Sequence, residues 1–65
     1  MNIVINGENV ETKNENLVAL LSELGYGTAK VATALNEEFI PATSRFDTHL
    51  KNGDRLEILA PMQGG

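Results

Sequence analysis

Apolar residues lie at every second position at the start of this chain and at helical spacing further along. Met1, Ile3 and Ile5 share one side of an extended segment, which predicts a strand with that face towards a core. Asn6-Gly7 is a residue pair that two-residue hairpin turns favour, so residues 8–12 are expected to return as a second, shorter strand. The chain therefore opens with a predicted β-hairpin.

A stripe of leucines predicts one main helix. The stripe repeats at spacings of three and four residues and comprises Leu17, Leu20, Leu21 and Leu24. Asn16 is a candidate N-cap, because its side-chain oxygen can accept from a free amide of the first turn. Gly25 is placed where a glycine ends a helix.

The second half of the chain predicts three further strands. We expect strands at 30–35 and 39–40, and Pro41 places the second of these at an edge because proline cannot donate to a neighbouring strand. The last strand follows the Asn52-Gly53-Asp54 turn, with Leu56 and Ile58 towards the core and Leu59 on the opposite face.

The connection between these strands has no clear period. For residues 42–51 we expect an irregular segment with one short helical turn around Ser44-Arg45-Phe46. Phe46 and Leu50 are the two large apolar residues of this segment, and we expect both to pin it to the core.

The order of these elements predicts an α+β fold with a sheet packed on one main helix. The helix-containing connection lets the first and last strands lie parallel in the centre, which is the ubiquitin-like β-grasp arrangement with a mixed sheet of four to five strands. Residues 1–60 are expected to form this domain, and residues 61–65 a flexible tail that ends in Gly64-Gly65.

The tail carries the most specific chemistry of the sequence. Pro61 ends strand pairing, and Met62, Gln63 and Gly64 lead to the α-carboxylate of Gly65. Glycine has no Cβ, so such a tail can enter a narrow active site. A carboxylate is a poor electrophile and needs activation, most simply as an acyl-adenylate, before it accepts sulfur or an amine.

Composition excludes several other classes of function. The chain has 65 residues, a net charge of −4 and no cysteine, which leaves no disulfide, thiolate nucleophile or cysteine-based zinc site. The five basic residues are scattered, so neither nucleic acid nor membrane is an expected partner. The acidity favours a protein partner with a basic surface. The alternative is that the negative charge only keeps a small protein soluble. Without a signal peptide or an apolar span, the expected compartment is the cytoplasm.

Apolar residues on the outer face of the sheet are candidates for partner binding. The alternation places Val4 and Leu59 opposite the core, and Met62 lies beyond them. The alternative is that these are the scattered exposed aliphatic residues of any protein surface.

The whole chain resembles the ThiS family, the ubiquitin-like sulfur carrier proteins of thiamine biosynthesis. The resemblance rests on three features besides the hairpin and the helix: the run from Val31 to Pro41, Gly53-Asp54 before the final strand, and terminal Gly64-Gly65. The chain departs from many relatives at Glu37, where they carry glycine, and at Ala42 and Gln63.

The resemblance implies a carrier that is not itself an enzyme. Gly65 would be adenylated by an E1-like, ThiF-like enzyme that uses ATP and magnesium, neither of which this chain would bind. Sulfur from a donor such as a cysteine desulfurase would convert it to a thiocarboxylate, and a ThiG-like thiazole synthase would take up that sulfur. The free carrier is expected to be a monomer.

Two alternatives remain at this point. One is the small subunit of molybdopterin synthase or another ubiquitin-like sulfur carrier or modifier, although those tend to be longer and to have more aromatic residues. The other is a β-grasp protein-binding module whose Gly-Gly end is incidental.

Overall fold

A computed structural model describes residues 1–27 and 30–60 of the chain. Within these residues it contains strands β1 (Asn2–Ile5), β2 (Glu8–Glu11), β3 (Ala32–Leu35), β4 (Glu38–Ile40) and β5 (Arg55–Leu59), helix α1 (Leu17–Glu23) and a 3-10 helix (Ala42–Asp47). The strands form one mixed sheet in the order β2-β1-β5-β3-β4, and α1 packs against one face of it. The predicted α+β class and β-grasp arrangement are confirmed.

The first and last strands lie side by side in the middle of the sheet. They run parallel, with Val4 opposite Arg55 and Ile5 opposite Leu56. β3 pairs with the other edge of β5 in the antiparallel sense, and β4 forms an outer edge of the sheet, as Pro41 predicted. As a result β5, which leads through Ala60 to residues 61–65, is held between β1 and β3.

Local sequence signals account for the hairpin and the helix. Asn6 and Gly7 both have positive φ, at 50° and 87°, which is the backbone geometry of the predicted two-residue turn. Asn16 caps α1, because its Oδ1 accepts from the amides of Val18 and Ala19 at 2.9 and 3.3 Å. Gly25 follows the helix with a φ of 91°, as a C′ glycine does.

An aliphatic core lies between the sheet and α1. Its buried members are Ile3, Ile5, Leu17, Leu20, Leu21, Leu50, Leu56 and Ile58. Burial of each such side chain contributes about 1.5–3 kcal/mol. Leu24, the last leucine of the predicted stripe, is half-buried and packs against this core.

The prediction that Phe46 pins the 3-10 helix to the core is wrong. The Phe46 side chain is 75% exposed, whereas Leu50 is buried as expected. The backbone holds this segment instead, because Nδ2 of Asn16 donates to the carbonyl of Phe46 at 2.7 Å. That bond fixes the peptide and leaves the aromatic ring in solvent.

The turn between β3 and β4 contains a strained residue at Glu37. Its φ is 71°, a left-handed conformation that favours glycine and disfavours residues with a Cβ. We expect Glu37→Gly to raise the free energy of unfolding by roughly 0.5–1 kcal/mol, measured by urea denaturation. The lost ion pair with Arg55 is exposed and 3.9 Å long, so it offsets little of this gain.

Glu38→Gly is the matched control for that substitution. Glu38 is the next residue, but it lies in the extended backbone of β4, where glycine weakens a strand. We expect this control to lose stability. A loss of stability in Glu37→Gly as well would contradict the assignment of strain to Glu37.

Candidate functional site

Five of the predicted site residues lie outside the described part of the chain. These are Pro61, Met62, Gln63, Gly64 and Gly65. The predictions about them, including the flexible tail and the reactive carboxylate, therefore remain predictions. The structure describes the base from which this segment starts, namely β5, Ala60 and their neighbours.

The beginning of β5 is fixed by a buried carboxylate. Asp54 is only 3% exposed and accepts three hydrogen bonds. Its Oδ2 accepts from the Lys51 amide at 2.8 Å, and its Oδ1 accepts from Asn36 Nδ2 at 3.1 Å and from Lys51 Nζ at 3.3 Å. Burial raises the pKa of Asp54, but the hydrogen bonds from Asn36 and Lys51 and the Lys51 charge outweigh it, so the pKa lies below its usual value.

This carboxylate makes the stability of the domain dependent on pH in the acid range. Because the pKa of Asp54 is lower in the folded state, its contribution is fully present above the unfolded-state value of about 3.9 and is lost as the pH falls through the folded-state value. We expect Asp54→Asn to lower the free energy of unfolding by about 2 kcal/mol at neutral pH. The difference from the wild type should shrink towards acid pH in urea unfolding series.

Asp47→Asn is the control, since Asp47 is an exposed carboxylate at the end of the 3-10 helix. It should leave stability nearly unchanged across the same series. A constant difference between wild type and Asp54→Asn at every pH would contradict the role given to the ionised carboxylate.

Two asparagine side chains extend the pairing of β5 at its two ends. Asn36 Oδ1 accepts from the Arg55 amide at 3.0 Å, at the start of the strand. Asn6 Oδ1 accepts from the Ile58 amide at 2.8 Å, and Asn6 Nδ2 donates to the Ile58 carbonyl at 3.1 Å, close to the end of the strand. The sequence identified Asn6 only as a turn residue, because a bond to a residue 52 positions away leaves no local signal.

The outer face of the sheet carries an apolar cluster next to the end of β5, which we call the outer patch. It consists of Leu59, Ala32, Ala34 and Phe39. Leu59 lies opposite Ala32 in register, and Phe39 lies opposite Ala34. Leu59 is 68% exposed and Phe39 is 65% exposed. The alternation along the last strand predicts Leu59 as a partner-binding residue, whereas no sequence pattern points to Phe39.

The structure does not bring Val4 and Leu59 together. Val4 is half-buried and lies opposite Arg55, four residues before Leu59 and roughly 13 Å away along the strand. The charged side chains of Arg55 and Glu57 share this outer face between them. Val4 is therefore not part of the outer patch.

A groove of about 520 Å³, open to solvent, lies beside Leu59 at the end of β5. Its lining residues are Lys30, Val31, Ala32, Ala42, Arg45, Leu59 and Ala60. We call it the tail-base groove, because Ala60 immediately precedes residues 61–65.

Two cations lie in the wall of the tail-base groove. Arg45 holds the beginning of β3 by donating from Nε to Thr33 Oγ1 at 3.1 Å and from Nη2 to the Val31 carbonyl. Lys30 is exposed, and neither cation makes an ion pair within the described residues. The groove is thus apolar and locally positive, although the chain as a whole is acidic.

Within the described residues, the remaining histidine and acidic side chains do not form a candidate metal site. His49 is exposed and pairs through its backbone with Asn16. Over residues 1–27 and 30–60, no group of histidine, cysteine or acidic side chains is arranged to hold a metal ion. The helices in these same ranges are too short or too polar to cross a membrane.

A family model described as the ThiS family matches residues 2–65 of this chain. Among curated proteins, the sulfur carrier protein ThiS of Thermus thermophilus is 38% identical over 61 residues, covering 94% of this chain and 95% of that protein. A thiazole synthase of Paramagnetospirillum magneticum is 41% identical over 66 residues. The match covers all of this chain but only 20% of the length of that synthase.

Solved structures give the same result. The crystal structure of a thiamine biosynthesis protein, ThiS, from Geobacter metallireducens superposes with a TM-score of 0.85 at 33% identity, with both chains fully covered. A solution structure of a thiamine biosynthesis protein from the same organism gives a TM-score of 0.81 at 32% identity, covering all of this chain and 88% of that one.

Proposed function

The chain belongs to the ThiS family, and from that membership we propose that it carries sulfur for thiamine biosynthesis as a thiocarboxylate on Gly65. The observation that carries the proposal is the match of the family model over residues 2–65, which includes Gly64-Gly65. A sulfur carrier is a co-substrate of enzymes, so every catalytic step of its reaction belongs to a partner.

The proposed chemistry has two steps at the Gly65 carboxylate. In the first, a carboxylate oxygen attacks the α-phosphorus of ATP, an acyl-adenylate forms and pyrophosphate leaves. In the second, the terminal sulfur of a donor persulfide attacks the acyl carbon and AMP leaves, which gives an acyl disulfide. A thiol then attacks the donor-side sulfur, the S–S bond breaks, and the thiocarboxylate is released while the donor and the thiol are left as a disulfide. We assign ATP and magnesium to an E1-like, ThiF-like adenylating enzyme, and the sulfur to a donor such as a cysteine desulfurase.

The final acceptor in this proposal is a ThiG-like thiazole synthase. Support comes from the thiazole synthase of Paramagnetospirillum magneticum, which contains a segment similar to this whole chain. The same likeness favours the thiazole pathway over a role in molybdopterin synthesis.

We propose the outer patch and the tail-base groove as the surface that docks the thiazole synthase. Leu59 and Phe39 present exposed apolar area, and the groove lies directly beside Ala60. The charges of Lys30 and Arg45 fit a partner surface with apolar side chains and carboxylates. Docking there places the base of residues 61–65 against the partner while the helix face remains free.

Intact-mass spectrometry tests the proposed function. The protein is incubated with ATP, magnesium, the adenylating enzyme of the same organism and a sulfide donor. We expect the mass increase of one oxygen-to-sulfur exchange, and no increase when ATP is left out. An unchanged mass, with an adenylating enzyme shown to be active on another carrier, would refute sulfur carriage and favour a protein-binding module.

A further inference from the structure

Within residues 1–27 and 30–60, the end of β5 has no backbone partner on the β1 side. In a strand, successive residues direct their N–H and C=O groups to opposite neighbours. The Leu56 carbonyl points towards β1 and accepts from the Asn6 amide at 2.9 Å. The groups of Ile58 point to the same side, but β1 ends at Ile5 and the chain turns away at Asn6-Gly7.

The side chain of Asn6 takes the place of the missing strand. Its Oδ1 accepts from the Ile58 amide and its Nδ2 donates to the Ile58 carbonyl, at 2.8 and 3.1 Å. In a continued parallel ladder these two groups of Ile58 would bond to two backbone groups of the neighbouring strand. One primary amide supplies both the acceptor and the donor.

We propose that Asn6 is a positioning residue for the sulfur-carrier reaction, fixing the orientation in which β5 delivers residues 61–65 to partner active sites. This inference rests on the proposed function. On its other edge, β5 is held through the pairing of Leu59 with Ala32. Asn6 holds the β1 edge at Ile58, so the two contacts together orient the last two residues of β5, from which the chain continues through Ala60 to residues 61–65.

Asn36 provides a comparison, because its side chain bonds to the backbone of the same strand, β5. It also lies in a turn with positive φ, at 51° against 50° for Asn6, and its side-chain amide also bonds the backbone of β5. Its bond to the strand backbone is to Arg55, at the far end of the strand from Ala60, and its Nδ2 also donates to Asp54 Oδ1. Both residues stabilise the domain, but only Asn6 lies where it can orient the exit of the chain.

The test compares Asn6→Gly with Asn36→Gly. Glycine accepts positive φ, so each substitution keeps the turn and removes only the amide. Amide hydrogen exchange is measured first, on the full chain. We expect the exchange rate of the Ile58 amide to rise about tenfold or more in Asn6→Gly, beyond the rise that the change in global stability explains. The reason is that this amide loses its acceptor.

Steady-state kinetics with the adenylating enzyme provide the second readout. If Asn6→Gly reduces the fraction of carrier with a correctly oriented exit to about a tenth, the KM for the carrier rises about tenfold while kcat is unchanged. Asn36→Gly should keep the wild-type KM.

The possible results separate the explanations. A raised KM in Asn6→Gly alone, with faster exchange at Ile58, supports positioning. Equal effects of both glycine variants on KM, or unchanged exchange at Ile58, would overturn it in favour of a purely structural role. If the wild-type protein releases no pyrophosphate with an active adenylating enzyme, the proposed function fails, while the exchange experiment still decides whether Asn6 orders the end of β5.

Discussion

Deletion of Gly65 is expected to abolish formation of the thiocarboxylate. The deletion leaves a carboxylate on Gly64, but it withdraws the reacting carbon by about 3.5 Å, the length of one extended residue. A displacement of about 1 Å can already cost a factor of about 100 in rate, because the reacting atoms must meet in a fixed geometry. We therefore expect no sulfur-dependent mass increase under conditions that fully convert the wild type.

Two further variants make that result specific. Gly65→Ala keeps the length of the chain and adds a Cβ, and we expect it to slow conversion without abolishing it, because the active site of the proposed partner then has to accommodate a methyl group. Adding one alanine after Gly65 displaces the carboxylate in the other direction and should block conversion. Urea unfolding should show that all three proteins keep the wild-type stability, since the changes lie beyond β5. Conversion of the deletion variant at the wild-type rate would remove Gly65 from the proposed mechanism.

Leu59→Asp is expected to weaken the complex with the thiazole synthase by about 30-fold or more. Leu59 lies in both the outer patch and the wall of the tail-base groove, so it is the central residue of the proposed docking surface. A carboxylate there would be buried against an apolar partner and would add negative charge beside a surface that we expect to carry carboxylates. Loss of such an anchor costs about 2 kcal/mol or more of binding free energy, which corresponds to an increase in Kd of about 30-fold or more.

Val18→Asp is the matched control for docking. Val18 is also an apolar residue with substantial exposure, at 42%, but it lies in the first turn of α1, on the other side of the sheet. An acidic residue near the start of a helix is tolerated, so the control should fold normally. Isothermal titration with the thiazole synthase should give a wild-type Kd for the control. Equal weakening by both variants, or by neither, would contradict docking through the outer patch.

The sequence determined the elements whose signals lie within a few residues of each other. The Asn6-Gly7 turn, the Asn16 cap and the Gly25 stop each depend on bonds or backbone angles inside one turn. The same holds for the faces of β1 and β5, because alternation along a strand decides which side chains meet the core. The resemblance of the whole chain to the ThiS family was also available from sequence and is shown by the comparisons.

The sequence was less informative where no period exists. In the 3-10 helix, Phe46 was predicted to be buried because it is large and apolar. Its position depends on a hydrogen bond from Asn16, thirty residues away, to its backbone carbonyl. Such a bond fixes the peptide without regard to the character of the side chain, so composition could not reveal it.

Only the tertiary structure decided which residues surround the base of the tail. Sequence assigned Leu59 to the outer face, but the neighbours that complete the patch, above all Phe39, reach it through the pairing of β3 with both β4 and β5. The pairing of β1 with β5 separates Val4 from the patch. The hydrogen bonds of Arg45 to Val31 and Thr33 bring its side chain to the groove that Lys30 also lines. Periodicity tells which side of a strand a residue faces, because that is a property of one strand. Which strands become neighbours is set by closure of the whole sheet around its core, and the surroundings of residue 60 follow from that closure.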